Sequence, residues 1–162
     1  MLSRIALATL LPVSVRMDFS AMPNYRSLVA GGFFSSNPKD RSLPVAVRTN
    51  NPGAVNIAAW VKKYPGFVDA SLTTPGNKTV IFEAPEYGVA AWWELLRRYR
   101  PDLEPNFSLR NIVFKYCGRG REREAVEYLQ FVGARTNVHG DQRVVLEDFA
   151  AMTVLARAFF HY

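Results

Sequence analysis

The hydrophobic pattern changes its period between Gly66 and Tyr99, and this change constrains the fold more than any other feature of the sequence. Two β-prone runs, Phe67 to Leu72 and Lys78 to Phe82, flank the turn-forming stretch TTPGN, which is typical of a β-hairpin. The next segment, APEYGVAAWWELLRRYR, has a proline suited to the first helical position and apolar residues at helical spacing. The sequence therefore predicts a hairpin and then a helix that ends at Pro101 and Pro105.

Further helical patterns fill the second half of the chain. Ser108 can cap a helix over LRNIVFKY, and the glycines of CGRGR end that helix. The segments EREAVEYLQFVGA and LEDFAAMTVLARAFFHY also have apolar residues at helical spacing, and NVHGDQ supplies turn residues between them. We therefore expect a mainly α fold of the α+β class, with one small β-hairpin.

The chain of 162 residues is long enough for one domain with a hydrophobic core. A stretch rich in Gly, Ser, Asn and Pro, from Met22 to Pro44, predicts a connector, so we expect a domain over 45–162 after an N-terminal segment, 1–44. The apolar run Ile5 to Val15 has the size of a signal-peptide core and is too short to span a bilayer. Pro12 and the lack of a clean cleavage site favour a packed N-terminal arm, with a cleaved export signal as the alternative. No transmembrane segment is expected.

The chain is basic, with a net charge of +6, and the positive excess lies entirely before Glu83. Such a surface attracts nucleic acid, anionic lipid or the anionic polymers of a bacterial wall. The run GRGRER lacks a Walker lysine and a preceding strand, so nucleic acid is not favoured as a partner. Cys117, the single cysteine, has no evident base partner for nucleophilic catalysis. His139 and His161 lie on a turn and at the terminus, so we expect no metal and no cofactor.

Amide and turn-forming side chains are concentrated in VRTNNPGAVNIAAW, from Val47 to Trp60. The stretch TNNPG predicts a tight turn in which Gly53 takes a positive φ, and AVNIAAWVKKY then predicts a short helix. The side chains here that could bind the hydroxyls and amides of an N-acetylated glycan are Arg48, Asn50, Asn51 and Asn56. Alternatively, they only fix the turn.

Glu83 and Glu86 are the acidic residues nearest in sequence to both the asparagine turn and the aromatic helix. Hydrolysis of a sugar polymer needs a carboxylic acid that protonates the leaving oxygen, and a glutamate among apolar neighbours can serve as that acid. Alternatively, Glu86 stabilises only its own helix, because a carboxylate in the first turn interacts favourably with the helix dipole.

Aromatic residues near these acids could line a groove for sugar rings. Trp92 and Trp93 are adjacent on the predicted helix, so they point about 100° apart and cannot both face one core centre. We therefore interpret Trp92 as a candidate groove residue, with burial in the core as the alternative. Tyr87 and Tyr116 are further candidates, and for a helix-terminal tyrosine such as Tyr116 the alternative is half-buried packing.

Taken together, VRTNNPGAVNIAAWVKKYPG, the hairpin, IFEAPEYGVAAWWELLRRY and EYLQFV resemble the NNPG-motif murein hydrolases of the lysozyme-like type. Members of that family occur in phage virions, where they are often labelled structural proteins, and in bacterial genomes, including prophage regions. The resemblance covers about Val47 to Tyr162 and implies a lysozyme-like helical domain that cuts peptidoglycan in a virion or outside the cytoplasm. Glu86 matches the PExG position of the family, and the signature itself is matched by Arg48, Asn50, Asn51, Pro52 and Gly53.

The sequence departs from that family pattern in its acidic residues. Lysozymes and lytic transglycosylases generally place the catalytic glutamate at the end of an early helix, whereas no glutamate precedes Glu83 here. Three options follow: catalysis by Glu83 or Glu86, catalysis by an aspartate, or a domain that binds wall polymer without cutting it. We expect a peptidoglycan hydrolase of the lysozyme or lytic transglycosylase type. The alternative is a non-catalytic virion or cell-envelope protein whose partners are wall polymer and other proteins of that assembly.

Overall fold

The computed structural model describes residues 37–74 and 77–161. It does not describe the side chains of residues 72–77. The chain is mainly helical with a small two-stranded antiparallel sheet, which confirms the predicted fold class. Its elements are α1 (Val45–Arg48), a 3₁₀ turn (Val61–Lys63), β1 (Phe67–Thr74), β2 (Asn77–Phe82), α2 (Pro85–Leu103), α3 (Leu109–Cys117), α4 (Glu122–Thr136) and α5 (Phe149–Phe160). The predicted N-terminal arm or signal segment lies almost wholly outside the described residues. Within them, no helix combines the length and the apolar character needed to cross a membrane.

The predicted hairpin is confirmed, and its second strand has a neighbour on each edge. Strand β2 pairs with β1, placing Phe67 opposite Phe82. On the other edge of β2, the amide of Val80 donates to the Val55 carbonyl at 3.0 Å, and the amide of Ile57 donates to the carbonyl of Lys78 at 2.8 Å. The helix predicted for AVNIAAWVKKY is therefore wrong, because its first backbone groups bond to the sheet and only one 3₁₀ turn remains.

Helix α2 begins at Pro85 as predicted but continues through Pro101 to Leu103. The helix therefore ends between the two prolines that were predicted to end it. Pro101 is tolerated in the last turn, where its missing amide removes a single hydrogen bond. Contacts with other elements hold that turn in place. The Arg100 guanidinium donates to both carboxylate oxygens of Glu147, at 2.7 and 2.9 Å, and the amide of Glu104 closes the helix on the Arg100 carbonyl.

Capping residues mark the ends of the three helices in the second half of the chain. The Ser108 hydroxyl caps α3, and α3 stops at Gly118, which has φ +87°. Asn137 ends α4 in the left-handed conformation. The Asp148 carboxylate accepts from the amide of Ala151 at 3.0 Å, so α5 begins at Phe149 and leaves the LED of the predicted segment outside the helix.

Both tryptophans of α2 are buried, so the prediction that Trp92 lines a groove is wrong. The two rings do point apart, but each meets a different part of the core. Trp92 lies against Phe159 and Phe160 at the C-terminal end of α5. Trp93 stacks on Phe149 at the other end of α5, and its Nε1 donates to the Leu146 carbonyl at 3.2 Å. Helix α5 therefore covers both faces that the adjacent tryptophans present.

Candidate functional site

The turn predicted from TNNPG is present, and its residues 49–53 form what we call the motif loop. The positive φ belongs to Asn50, at +52°, and Gly53 is absent from the positive-φ residues of the described chain. Gly53 is needed for space instead, because a Cβ atom there would lie 2.5 Å from Cβ of Trp92. The motif loop therefore rests directly on helix α2.

Asn51 is fully buried and uses its whole side chain to bind backbone. Its Nδ2 donates to the carbonyls of Val55 and Val80, each at 2.9 Å, and its Oδ1 accepts from the amide of Val55 at 2.9 Å. This side chain thus joins the motif loop to β2 through the Val80 carbonyl. A buried amide with all three bonds made stabilises one loop conformation.

Asn50 binds the junction between β2 and α2, which contains both candidate acids. Its Nδ2 donates to the carbonyl of Phe82 at 3.0 Å and to that of Glu83 at 3.3 Å. The Phe82 amide in turn donates to the carbonyl of Thr49 at 2.9 Å. The Oδ1 atom of Asn50 is buried and accepts no hydrogen bond from the described residues. The motif loop therefore fixes this junction by binding the backbone atoms of Phe82 and Glu83.

Two glycines bring further backbone close to this junction. A Cβ atom on Gly88, in the second turn of α2, would overlap the carbonyl oxygen of Asn50 and lie 3.0 Å from Cα of Asn51. Gly66 has φ +72° and lies under the ring of Tyr87, and its carbonyl accepts from the amide of Glu83 at 2.8 Å. Sequence reasoning missed both glycines as parts of the site. A signal for Gly88 was available, since a glycine inside a helix lowers stability unless close packing requires it.

The two candidate acids differ in exposure. The side chain of Glu83 is exposed at the end of the hairpin, whereas Glu86 is half-buried in the first turn of α2. Tyr87, also half-buried, follows Glu86 and rests on Gly66. The structure therefore places Glu83, Glu86 and Tyr87 next to the motif loop.

Asn56 and Arg48, two further predicted binding residues, differ in exposure. Asn56 is exposed and bridges to Thr79 of β2. Arg48 is half-buried and donates to the carbonyl of Pro38 at 2.8 Å and to the Ser71 hydroxyl at 3.4 Å. Its guanidinium thus already joins the segment before α1 to β1. Of the three predicted asparagines, only Asn56 has a side chain exposed to a ligand.

Tyr116 binds the motif loop from the opposite side to the hairpin. Its hydroxyl donates to the carbonyl of Gly53, and its ring packs against Tyr128 and Phe159. Burial, as the largest cause, raises the pKa of this hydroxyl well above its usual value. The Cys117 thiol, next in the chain, also has a pKa raised mainly by burial, which disfavours the nucleophilic thiolate.

We therefore revise the expected role of the buried members of the predicted binding set. Asn50, Asn51 and Trp92 are buried, the last two completely, and Gly53 is buried against Trp92. A side chain that reaches no solvent cannot contact a polymer without unfolding the loop. Asn50 and Asn51 therefore fix the turn, as their alternative states, and Trp92 belongs to the core, as its alternative states.

Two surface concavities lie away from the β2–α2 junction. One, of about 510 Å³, lies between the C-terminal turn of α4 and the start of α3, and its lining includes Arg110, Leu129, Val138 and His139. The other, of about 250 Å³, lies beside Asn106, Asn111 and Arg143. Neither is lined by a predicted site residue. The turn NVHGDQ was the sequence signal nearest to them, and it predicted only a change of chain direction.

The ionisable side chains gathered at the β2–α2 junction are carboxylates. In the described part of the chain, no three His, Cys, Asp or Glu side chains are grouped so as to hold a metal ion. Two glutamates at a rigid junction, with tyrosine and amide side chains beside them, could transfer protons to a ligand lying across the junction. Comparison with protein-family models and with curated proteins finds no match for this chain.

Proposed function

We propose that this chain is a peptidoglycan hydrolase that cleaves the glycan strand by general acid catalysis with a carboxylic acid. The observation that supports this proposal is the junction between β2 and α2, where the motif loop binds the backbone of Phe82 and Glu83, and Glu86 follows in the first turn of α2. Catalytic groups need such fixed backbone, because misplacement by about 1 Å can cost roughly 100-fold in rate. The lysozyme-like character, the substrate and the virion or extracytoplasmic location all come from the sequence resemblance.

Within this proposal, Glu86 is the general acid and Glu83 is the second carboxylate. Glu86 is half-buried, so water is partly excluded from the proton that it delivers to the leaving oxygen. Glu83 is exposed and free to face the sugar or an attacking water molecule. Two carboxyl groups flanking the scissile bond are the usual arrangement for glycoside hydrolysis.

The proposal is tested by measuring soluble muropeptides released from purified sacculi. We expect Glu86→Gln to lower release by roughly 100-fold or more, because amides cannot donate the catalytic proton. Glu127→Gln is the control: Glu127 is exposed on α4 and pairs with Arg123, so its loss should leave release unchanged. Mass spectrometry of the products identifies the bond that is cut. Wild-type protein that releases nothing, with Glu83→Gln and Glu86→Gln equally inert, would disprove the catalytic claim.

A second function is a wall-binding virion or cell-envelope protein that does not cut its ligand. The placement of the motif residues favours this alternative, because Asn51, Gly53 and Trp92 are used to stabilise the loop. The two concavities also lie elsewhere than at the acids. This alternative predicts retention on sacculi that weakens with added salt and releases no muropeptides.

A further inference from the structure

A basic and aromatic surface lies on and around the 3₁₀ turn that precedes the hairpin. It consists of Trp60, Lys62, Lys63, Tyr64 and Arg98, and we call it the Trp60 patch. The Trp60 ring is half-buried and meets Tyr64 edge-on, with the ring centres 5.7 Å apart. The guanidinium of Arg98, from α2, lies 4.6 Å from the centre of the Trp60 ring. A cation at this distance from an indole attracts it, so the two elements hold the ring in a defined orientation.

The Trp60 patch is joined to the candidate acids through a short stretch of bonded backbone. The carbonyl of Tyr64 accepts from the amide of Phe67 at 3.2 Å. Two residues beyond Tyr64, the carbonyl of Gly66 accepts from the amide of Glu83 at 2.8 Å, and Gly66 also touches the Tyr87 ring. The patch and the β2–α2 junction are therefore connected through hydrogen-bonded backbone.

The lysines give this surface its net charge. Lys62 and Lys63 are both exposed, and neither forms an ion pair within residues 37–74 and 77–161. Arg98, by contrast, lies 3.0 Å from Glu94, which neutralises it. Nearby Glu83 is exposed at the junction and adds one negative charge. Two unpaired ammonium groups beside aromatic rings can bind a chain that has both carboxylates and apolar sugar faces.

We propose that the Trp60 patch binds an acidic glycan, namely a peptidoglycan strand whose stem peptides carry carboxylates. Lys62 and Lys63 bind the carboxylates, and the Trp60 and Tyr64 rings contact the sugars. The choice of ligand rests on the proposed function, but binding at the patch does not require cleavage. A nucleic acid fits less well, because affinity for its dense phosphates grows with the number of cations and the patch offers only two unpaired ones.

The test compares retention on sacculi with retention on chitin, an uncharged N-acetylated glycan. All proteins are full-length and contain Glu83→Gln and Glu86→Gln, so the polymer stays intact during incubation. We expect Lys62→Gln/Lys63→Gln to weaken binding to sacculi by about three- to tenfold at low salt and to leave chitin binding unchanged. Trp60→Leu should weaken binding to both polymers, with thermal unfolding showing that the variant is folded. Arg119→Gln/Arg157→Gln is the charge-matched control, since both arginines are exposed outside the patch.

Each outcome decides the proposal. It is overturned if the double lysine variant binds sacculi like its parent, or if the arginine control loses as much binding. It is also overturned if the parent prefers duplex DNA to sacculi and loses DNA binding with the lysines, which would assign the patch to nucleic acid. Lysine-dependent retention supports the patch even if the unmodified protein releases no muropeptides. In that case the proposed hydrolase activity is disproved, and the proposed binding at the Trp60 patch is not.

Discussion

At the scale of single residues, the two adjacent asparagines of the motif loop have separate structural roles. Asn51 joins the loop to Val55 and Val80, and all of its side-chain bonds are made to backbone. Asn50 instead reaches the carbonyls of Phe82 and Glu83, with its Oδ1 left for a donor from outside the described residues. The pair therefore fixes the loop and the acidic junction relative to each other.

Asn51→Asp should lower the free energy of unfolding by about 2–4 kcal/mol, because the variant loses two donors and buries a carboxylate facing two carbonyls. Denaturant unfolding at neutral pH measures this loss. Asn56→Asp is the control: the same chemical change on an exposed side chain should alter stability by less than about 0.5 kcal/mol. Equal losses in the two variants would contradict the bonding role assigned to Asn51.

At the scale of elements, helix α2 is positioned by packing at one end and by charge at the other. Its N-terminal turns lie against the motif loop, with Gly88 under the Asn50 carbonyl. Its last turn is joined through Arg100 to Glu147 and, at 3.8 Å, to Glu104. The first contact depends on shape and the second on pH, so they can be weakened independently.

Gly88→Ala tests the packed end of α2. Alanine usually stabilises a helix interior by about 1 kcal/mol relative to glycine. Here we expect a loss of roughly 1–3 kcal/mol, because the added methyl group overlaps the motif-loop backbone. Thermal unfolding measures the change. Gly133→Ala on α4 is the control and should cost less, since its methyl group would meet only the Val138 carbonyl, at 3.3 Å.

Glu147→Gln tests the charged end of α2. The hydrogen bond from Arg100 is the largest cause that lowers the pKa of Glu147 from 4.5 to about 2. Because the folded-state pKa is the lower one, the stabilisation is complete above about pH 4.5 and is lost as the pH falls toward 2. The difference in melting temperature between wild type and Glu147→Gln should therefore shrink over that window. A difference in melting temperature that stays constant over that window would contradict this role of the Arg100–Glu147 pair.

At the scale of the whole molecule, the motif loop lies where the hairpin and three helices meet. Asn51 binds β2, Gly53 contacts Trp92 of α2, and Tyr116 of α3 donates to the Gly53 carbonyl. Helix α5 reaches the same region through Phe159, which packs on both Trp92 and Tyr116. The hairpin and the helices therefore share one set of buried contacts.

We expect this shared core to unfold in one cooperative transition. Tryptophan fluorescence reports on the buried Trp92 and Trp93 and on the half-buried Trp60 next to the hairpin, and far-UV circular dichroism reports on the helices. The two denaturation curves should coincide within error. Separate midpoints would show that the hairpin and motif loop unfold independently of the helices, and would argue against the loop as the common anchor.

Much of the candidate site was predictable because its chemistry is local. The residues of TNNPG favour a turn whatever surrounds them, and Pro85 favours the start of a helix, so Glu83 and Glu86 fall at a hairpin-to-helix junction. What could not be predicted is which motif side chains face solvent. Asn51 and Asn56 are the same residue type five positions apart, yet Asn51 is buried and Asn56 is exposed. That difference depends on β2, the strand that lies opposite both residues.

The sequence by itself determined the hairpin, the helices that follow it, the cap at Ser108 and the turn in the motif loop, because each depends on bonds between neighbouring residues. Only the tertiary structure decided that 55–57 extend along β2, that both tryptophans of α2 are buried, and that the concavities lie beside α3 and α4. The physical reason is that burial and edge pairing are set by distant parts of the chain. Their contribution to the free energy outweighs local preference.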